Sequence, residues 1–274
     1  MPIKTILLHM SNDDRHTQRL EVAVGLARRF SAFVEVLFVA TPVSMPAAVT
    51  GRAASYAFIA EATAIAHEKA EQIEQEVRQA LKDCSYSWTI EEGDHVELLA
   101  ARAVYADLAV VTQSHDDERG ERVTLQVPDR LPLTSPCPAL ILPHAAATAS
   151  AIGRHVVVAW KNTREAGRAV RNALPFLKEA EKVTVVTIDP PGHRLDSGRD
   201  LMIWLERHGV RSQHQANIFR GGDVGDVLIS ACREVGGDLL VMGSYGHSRL
   251  REMVLGGATR TVLAKLEVPV LMSH

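Results

Sequence analysis

The chain repeats itself, and the repeat limits what it can fold into. Residues 3–10, Ile-Lys-Thr-Ile-Leu-Leu-His-Met, read as a strand, and so does the run 154–160, Arg-His-Val-Val-Val-Ala-Trp. Each is followed by a polar turn, Ser11-Asn-Asp-Asp14 in one copy and Lys161-Asn-Thr-Arg164 in the other. Each turn opens an amphipathic pattern, at 15–30 and 165–180. Strand-like runs follow at 33–39 and 182–188, rich in β-branched residues and suited to burial on both faces of a parallel sheet. The order then continues in step. Helices are expected at 55–82 and 196–209, strands at 85–90 and 212–219, and helices at 94–104 and 223–235. Next come strands ending at Val111 and Met242, and closing strands that begin Cys137-Pro and Val268-Pro. Self-similarity over a span of about 150 residues indicates two copies of one structural unit.

Strands alternating with helices give a parallel, doubly wound sheet with right-handed crossovers. The expected architecture is therefore α/β, with two tandem Rossmann-like domains at 1–146 and 154–274, joined by the alanine-rich stretch His144–Gly153. Residues 41–54, with Pro42, Pro46 and Gly51, form an insert found in the first copy alone.

Composition removes several function classes. Of 274 residues 46% are hydrophobic and 23% charged, with a formal net charge of −3, so there is no basic footprint for nucleic acid or an anionic membrane. No apolar run reaches the roughly 18 residues of a membrane helix, and no basic, apolar leader precedes the first strand. Cys84, Cys137 and Cys232 form no C-x-x-C pair, which suits buried thiols in a reducing, cytoplasmic compartment. The 12 histidines show no metal-ligand spacing, and no nucleophile elbow is present, so neither a metal centre nor a hydrolase triad is expected.

The chemistry-bearing motif lies in the second copy. Asp238–Met242 enters, as a strand, the stretch Gly243-Ser-Tyr-Gly246-His-Ser-Arg-Leu-Arg-Glu-Met-Val-Leu-Gly256-Gly257, and Ala258–Leu266 leaves it as a helix. Small residues at a strand exit and a helix start let backbone N–H groups face an anion. The spacing Gly-x2-Gly-x9-Gly is neither the dinucleotide fingerprint nor the P-loop. Ligands of doubly wound sheets bind beyond the carboxyl ends of the strands, which also brings the turns after Met10 and Trp160 into consideration.

These features together resemble a tandem universal stress protein, of the wider adenine nucleotide alpha hydrolase-like group. The resemblance implies a five-stranded parallel sheet of order 3-2-1-4-5 in each half, a cytoplasmic stress-response role and, in one branch of the family, ATP binding without efficient catalysis. It implies that Gly243, Gly246 and Gly256 shape the site, and that backbone N–H groups of Gly246, His247, Gly257 and Ala258 hold phosphates, with Mg2+ bridging them. AMP or ADP would fit the same cradle. Two positions depart from the ATP-binding pattern. Gly257 stands where a hydroxyl residue is usual, with Thr259 two residues on, and Lys161 stands where an acid meets the adenine.

Other residues carry two readings each. Trp160 either stacks on a base or packs the core, and Asp189 either approaches the ribose or adenine or simply forms a turn. Arg249 either folds over phosphates or is solvated charge. Asp223 reads as a helix N-cap. The first half has no Gly-x2-Gly. It carries Asp116, Asp117, Glu118 and Glu121, with Pro128 and Pro132 disturbing the helix that should follow, and reads as a copy that has lost its site. The closing strands are expected to pair the two halves within one chain, and the chain to form a homodimer. A nucleotide-free interaction or dimerisation module is the alternative function.

Overall fold

The computed structural model describes residues 2–40, 52–113, 127–144, 151–189, 197–218, 221–245 and 257–274. The first half runs β1 (Thr5–Met10), α1 (His16–Phe30), β2 (Phe33–Ala40), α2 (Arg52–Ala80), β3 (Tyr86–Glu92), α3 (His95–Ala103), β4 (Leu108–Thr112), α4 (Val127–Thr134) and β5 (Ala139–Leu142). The second runs β6 (His155–Trp160), α5 (Arg164–Glu179), β7 (Lys182–Asp189), α6 (Ser197–Arg207), β8 (Gln213–Ile218), α7 (Val224–Val235), β9 (Leu239–Gly243), α8 (Gly257–Ala264) and β10 (Val270–Ser273).

All ten strands join one sheet, in the order β3-β2-β1-β4-β5-β10-β9-β6-β7-β8. Each half thus has the 3-2-1-4-5 order. Every pairing is parallel except the seam, where β5 and β10 run antiparallel with Leu271 opposite Leu140. The carboxyl edges of the two halves consequently point in opposite directions. Two apolar layers cover the sheet. Residues of α1, α2, α5 and α6 share one core, and those of α3, α4, α7 and α8 share the other. The central strands β4, β5 and β10 are buried along their whole length, and their sequences are apolar except for the terminal Thr112 and Ser273.

The repeat persists in single bonds. Asp107, just before β4, accepts from the backbone N–H groups of Lys4 and Thr5 at 2.8 and 2.9 Å. Asp238, just before β9, accepts from those of Gly153 and His155 at 2.7 and 2.8 Å. Across the seam, Phe30 of α1 meets Phe176 of α5 edge to face at 5.2 Å, and Arg29 donates to Ile152 O at 2.7 Å. The expected disturbance of the helix after β4 does not occur: α4 forms despite Pro128 and Pro132. Pro128 lies in the first turn, where a missing N–H costs nothing. Pro132 forfeits one helical bond, but it is buried together with Val127, Pro128 and Leu131.

Of the cysteines, Cys137 and Cys232 are buried, whereas Cys84 is only partly so. Burial raises the thiol pKa to about 11 at Cys137 and about 12 at Cys232, so both stay protonated at neutral pH. Among the described residues, no helix is long and apolar enough to cross a membrane, and no cluster of three or more His, Cys, Asp or Glu could hold a metal ion.

Candidate functional site

The doubly wound order brings Trp160 and Lys161, Asp189, Gly243 and the start of α8 to the carboxyl edge of the second half. Trp160 ends β6 half-buried, and Lys161 follows it exposed. Asp189 ends β7, half-buried. Gly257 and Ala258 begin α8. Gly246, His247, Arg249 and Gly256 lie outside the described residues.

Two glycines of the motif have different surroundings. A Cβ at Gly243 would lie 2.5 Å from the backbone N of Ala166 and 2.6 Å from the carbonyl carbon of Glu165. The strand end is pressed against the first turn of α5, so the space beside Gly243 is filled by the protein's own backbone. At Gly257 the nearest neighbour among the described residues is the Asp223 carboxylate, 3.5 Å from such a Cβ, an ordinary contact distance. Asp223 is the N-cap of α7, accepting from Gly225 N–H at 2.6 Å. Its other oxygen thus stands beside the N-terminus of α8, where a negative charge is favoured and where a phosphate would have to share the space. Thr259 is buried, and its hydroxyl accepts from Tyr245 N–H at 3.4 Å. That hydroxyl braces the loop.

Ser244 and Tyr245, the two residues that follow β9, are held on three sides. Ser244, fully buried, donates from its N–H and hydroxyl to Ser273 O, and His274 Nδ1 donates to Ser244 O at 2.9 Å. Tyr245 adopts a left-handed φ of 55°, and its hydroxyl donates to Asp129 O at 2.9 Å, in α4 of the other half. Gln113, just past β4, returns the contact by donating to Leu263 O at 2.7 Å near the end of α8. Each half's loop after its fourth strand is therefore anchored on the other half's fourth helix. Removing only the hydroxyl, Tyr245→Phe, leaves Asp129 O without this donor and is expected to cost about 1–2 kcal/mol in urea unfolding. A midpoint equal to that of the parent protein would show that the bond carries nothing.

The matching edge of the first half holds a buried polar cluster that the sequence reading missed. Arg19, 2% exposed, forks onto the Asp13 carboxylate, donating to Oδ1 at 3.0 Å and also to Oδ2. It donates further to His9 O at 2.8 Å and to Thr112 Oγ1 at 3.0 Å. Ser11 adds its hydroxyl to the same carboxylate. Burial opposes ionisation of Asp13, but the guanidinium and the two side-chain hydrogen bonds outweigh it and hold the carboxyl far below its usual range. The guanidinium bridges the ends of β1 and β4 from within, and the residue it meets on β4, Thr112, ends its strand as Gly243 ends β9 in the second half. A charged residue in the apolar stripe of α1 was the available signal.

On the other face of β1, His9 Nε2 and His95 Nδ1 share a hydrogen bond of 2.8 Å. Burial first, then Arg19 and His95, push the His9 pKa well below 6.5, with Asp13 opposing. Burial likewise lowers His95 to about 4, with Arg19 adding to it and Asp94 and Asp13 opposing. Both rings are neutral in the folded protein, whereas an unfolded histidine protonates near pH 6.5. The unfolded chain therefore binds more protons below that pH. Stability is full above about 6.5 and falls as the pH drops toward 4, with His95 alone accounting for about 3 kcal/mol across that window. Urea unfolding at pH 7.5 and 5.0 measures this. The His95→Gln variant should show a flatter dependence, and a parent protein with no loss between those two values would overturn the assignment.

Comparison with known proteins agrees with this architecture. The model of the Universal stress protein family matches residues 2–143 and again 153–274. A universal stress protein from Archaeoglobus fulgidus superposes with a TM-score of 0.77 at 18% identity, over 98% of this chain and 95% of that one. A putative universal stress protein from Pseudomonas aeruginosa gives 0.63, also at 18% identity, over 99% and 93%. The Universal stress protein Slr1230 of Synechocystis is 56% identical over 34 residues, a match that spans only 12% of this chain and 12% of its own length. Two family segments cover nearly the whole sequence, each falling on one half of the sheet: the chain belongs to the universal stress protein family.

Proposed function

We propose that the second half binds ATP or a related adenine nucleotide, AMP or ADP, as part of a cytoplasmic stress response, and turns it over slowly or not at all. The observation that carries this reading is the open start of α8. Gly257 and Ala258 begin the helix at the carboxyl edge, and among the described residues outside its chain neighbours none stands closer to a Cβ placed at Gly257 than the Asp223 carboxylate at 3.5 Å. A helix start of this kind receives phosphate. Gly246, His247, Arg249 and Gly256 are assigned to the phosphates, with Mg2+ neutralising part of their charge beside Asp223. Lys161 supplies further charge and Asp189 lies toward the base and ribose; the Trp160 indole packs against the α1/α2/α5/α6 core, so of its two readings the packing one is adopted. Thr259 supports the loop rather than the ligand. As a homodimer the chain would have to use a surface other than β5 and β10, which are already paired with each other.

Native mass spectrometry of freshly purified protein, with thermal unfolding in ATP, tests the reading. ATP at about 100 times its Kd is expected to add about 2.7 kcal/mol of stability. Gly246→Val should abolish that gain while leaving the apo melting temperature in place. No co-purifying nucleotide, together with no thermal shift at millimolar ATP, would sink the proposal. That result would favour a nucleotide-free interaction module, for which the Asp223 carboxylate beside α8 and the inward use of the Thr259 hydroxyl are the supporting observations.

A further inference from the structure

A cleft of about 190 Å3 opens between α5 and α6, lined by Trp160, Gly167, Val170, Arg171, Asp200, Leu201 and Trp204. It belongs to the α1/α2/α5/α6 face, since Val170 and Leu201 are part of that core, whereas α8 packs into the core on the opposite face. The sheet therefore stands between the cleft and the start of α8.

Three observations indicate what it can hold. The first is Gly167 in the interior of α5. A glycine there costs the helix roughly 1 kcal/mol against alanine. Packing among the described residues does not require it: there a Cβ would meet only Arg171 Nη1, the far end of a flexible side chain, at 3.5 Å. What the glycine does is leave the wall of the cleft open. The second is the fixing of Trp204. Arg171 lies over its ring at 5.4 Å and donates to Gly167 O at 3.3 Å, while His208 stacks against the indole at 3.9 Å and is itself bonded to Trp204 O. A tryptophan held this way presents a preformed apolar surface, with Trp160 as the second indole of the same cleft. The third is charge. One guanidinium and one carboxylate, Arg171 and Asp200, flank an otherwise apolar lining, so neither sign of ligand is favoured and a group that both donates and accepts is served.

Size narrows the class. Drug-sized ligands use pockets of about 300–1,000 Å3, and an engineered apolar cavity of about 150 Å3 takes benzene. The cleft lies between these and suits one ring or a fused pair. We propose that it is a binding site for a small, uncharged planar aromatic molecule, separate from the nucleotide site of the second half.

The chain has three tryptophans, Trp88, Trp160 and Trp204, and only the last two line the cleft. Fluorine NMR of protein labelled with 5-fluorotryptophan therefore reads the site and carries its own control. On titration with indole or quinoline, the Trp160 and Trp204 resonances should shift saturably, with Kd on the order of a millimolar or tighter, while Trp88 stays in place. Cyclohexylmethanol, similar in bulk but not planar, should produce at least tenfold weaker binding. Gly167→Leu fills the cleft and should remove the response. Should that variant fold poorly, Gly167→Ala, whose methyl fits by ordinary contact, should weaken it severalfold. Trp88 shifting alongside the others, an unaltered response in both glycine variants, or equal binding of the saturated alcohol would each overturn the proposal. Release of bound indole by ATP would overturn its separateness from the nucleotide site. Because the readout needs no nucleotide, it stands or falls apart from the function proposed above.

Discussion

Replacing Arg19 by methionine is expected to cost about 3–5 kcal/mol of folding stability, because it strands a buried carboxylate. The side chain is 3% exposed and that of Asp13 12%, and the same guanidinium also satisfies His9 O and Thr112 Oγ1. The loss is larger than any surface ion pair could produce, since such pairs contribute about 0–1 kcal/mol. Removing both charges, Arg19→Met with Asp13→Leu, should recover much of it, because the uncompensated charge disappears with its partner. The single variant should also respond less to acid. In the parent the lowered Asp13 pKa lends stability that is lost as the pH falls below the ordinary carboxylate range; with the guanidinium gone that contribution is already missing at neutral pH, and protonating the stranded carboxylate offsets part of the loss. Urea unfolding of the parent, both single variants and the double variant closes the cycle. An Arg19→Met protein within 1 kcal/mol of the parent would show that water replaces the guanidinium, contrary to the burial described above.

Gly243→Ala is the second large effect. Its methyl would sit 2.5 and 2.6 Å from backbone atoms of Ala166 and Glu165, which cannot swing away as a side-chain tip can. The first turn of α5 must shift off the end of β9, and the N-cap bond from Ala166 N–H to Thr163 Oγ1, 3.4 Å, moves with it. Overpacking of this kind costs about 3 kcal/mol, or more where only backbone can yield. Gly257→Ala is the contrasting case. Among the described residues its methyl meets only Asp223 at 3.5 Å, so the melting temperature should hold or rise slightly. Equal destabilisation by the two alanines would mean that Gly243 does not abut α5 as described.

The pair shows what could and could not be read in advance. The tandem α/β architecture was legible because runs rich in β-branched and apolar residues, such as Val183–Ile188 and Leu239–Met242, suit strands buried on both faces and recur in step with helical patterns between them. The pairing of the closing strands was legible as an expectation, because an apolar run like Ala139–Leu142 needs a cover. The division of labour among the glycines was not. Spacing says that a residue has no side chain and leaves open whether ligand or backbone takes the space. Gly243 gives its space to α5, and Gly257 keeps it open. The Arg19–Asp13 cluster was hidden for a related reason. Its members come from β1, the turn after it, α1 and β4, and only the fold brings them together. Pro132 misled because proline's cost was weighed without the burial of its ring.

The seam between β5 and β10 also has a consequence in time. β10 is the last strand in chain order, yet it lies in the middle of the sheet, between β5 and β9. While the chain emerges from the ribosome, the first half can pair β1 to β5 and then wait with β5 as a bare, wholly apolar edge. Such an edge is a template on which another strand can dock. Met272, Leu271 and Val270 close it only after more than a hundred further residues have been made. A ribosome stalled inside the second half would therefore hold out a sticky strand, and two neighbouring ribosomes on one message would hold out two.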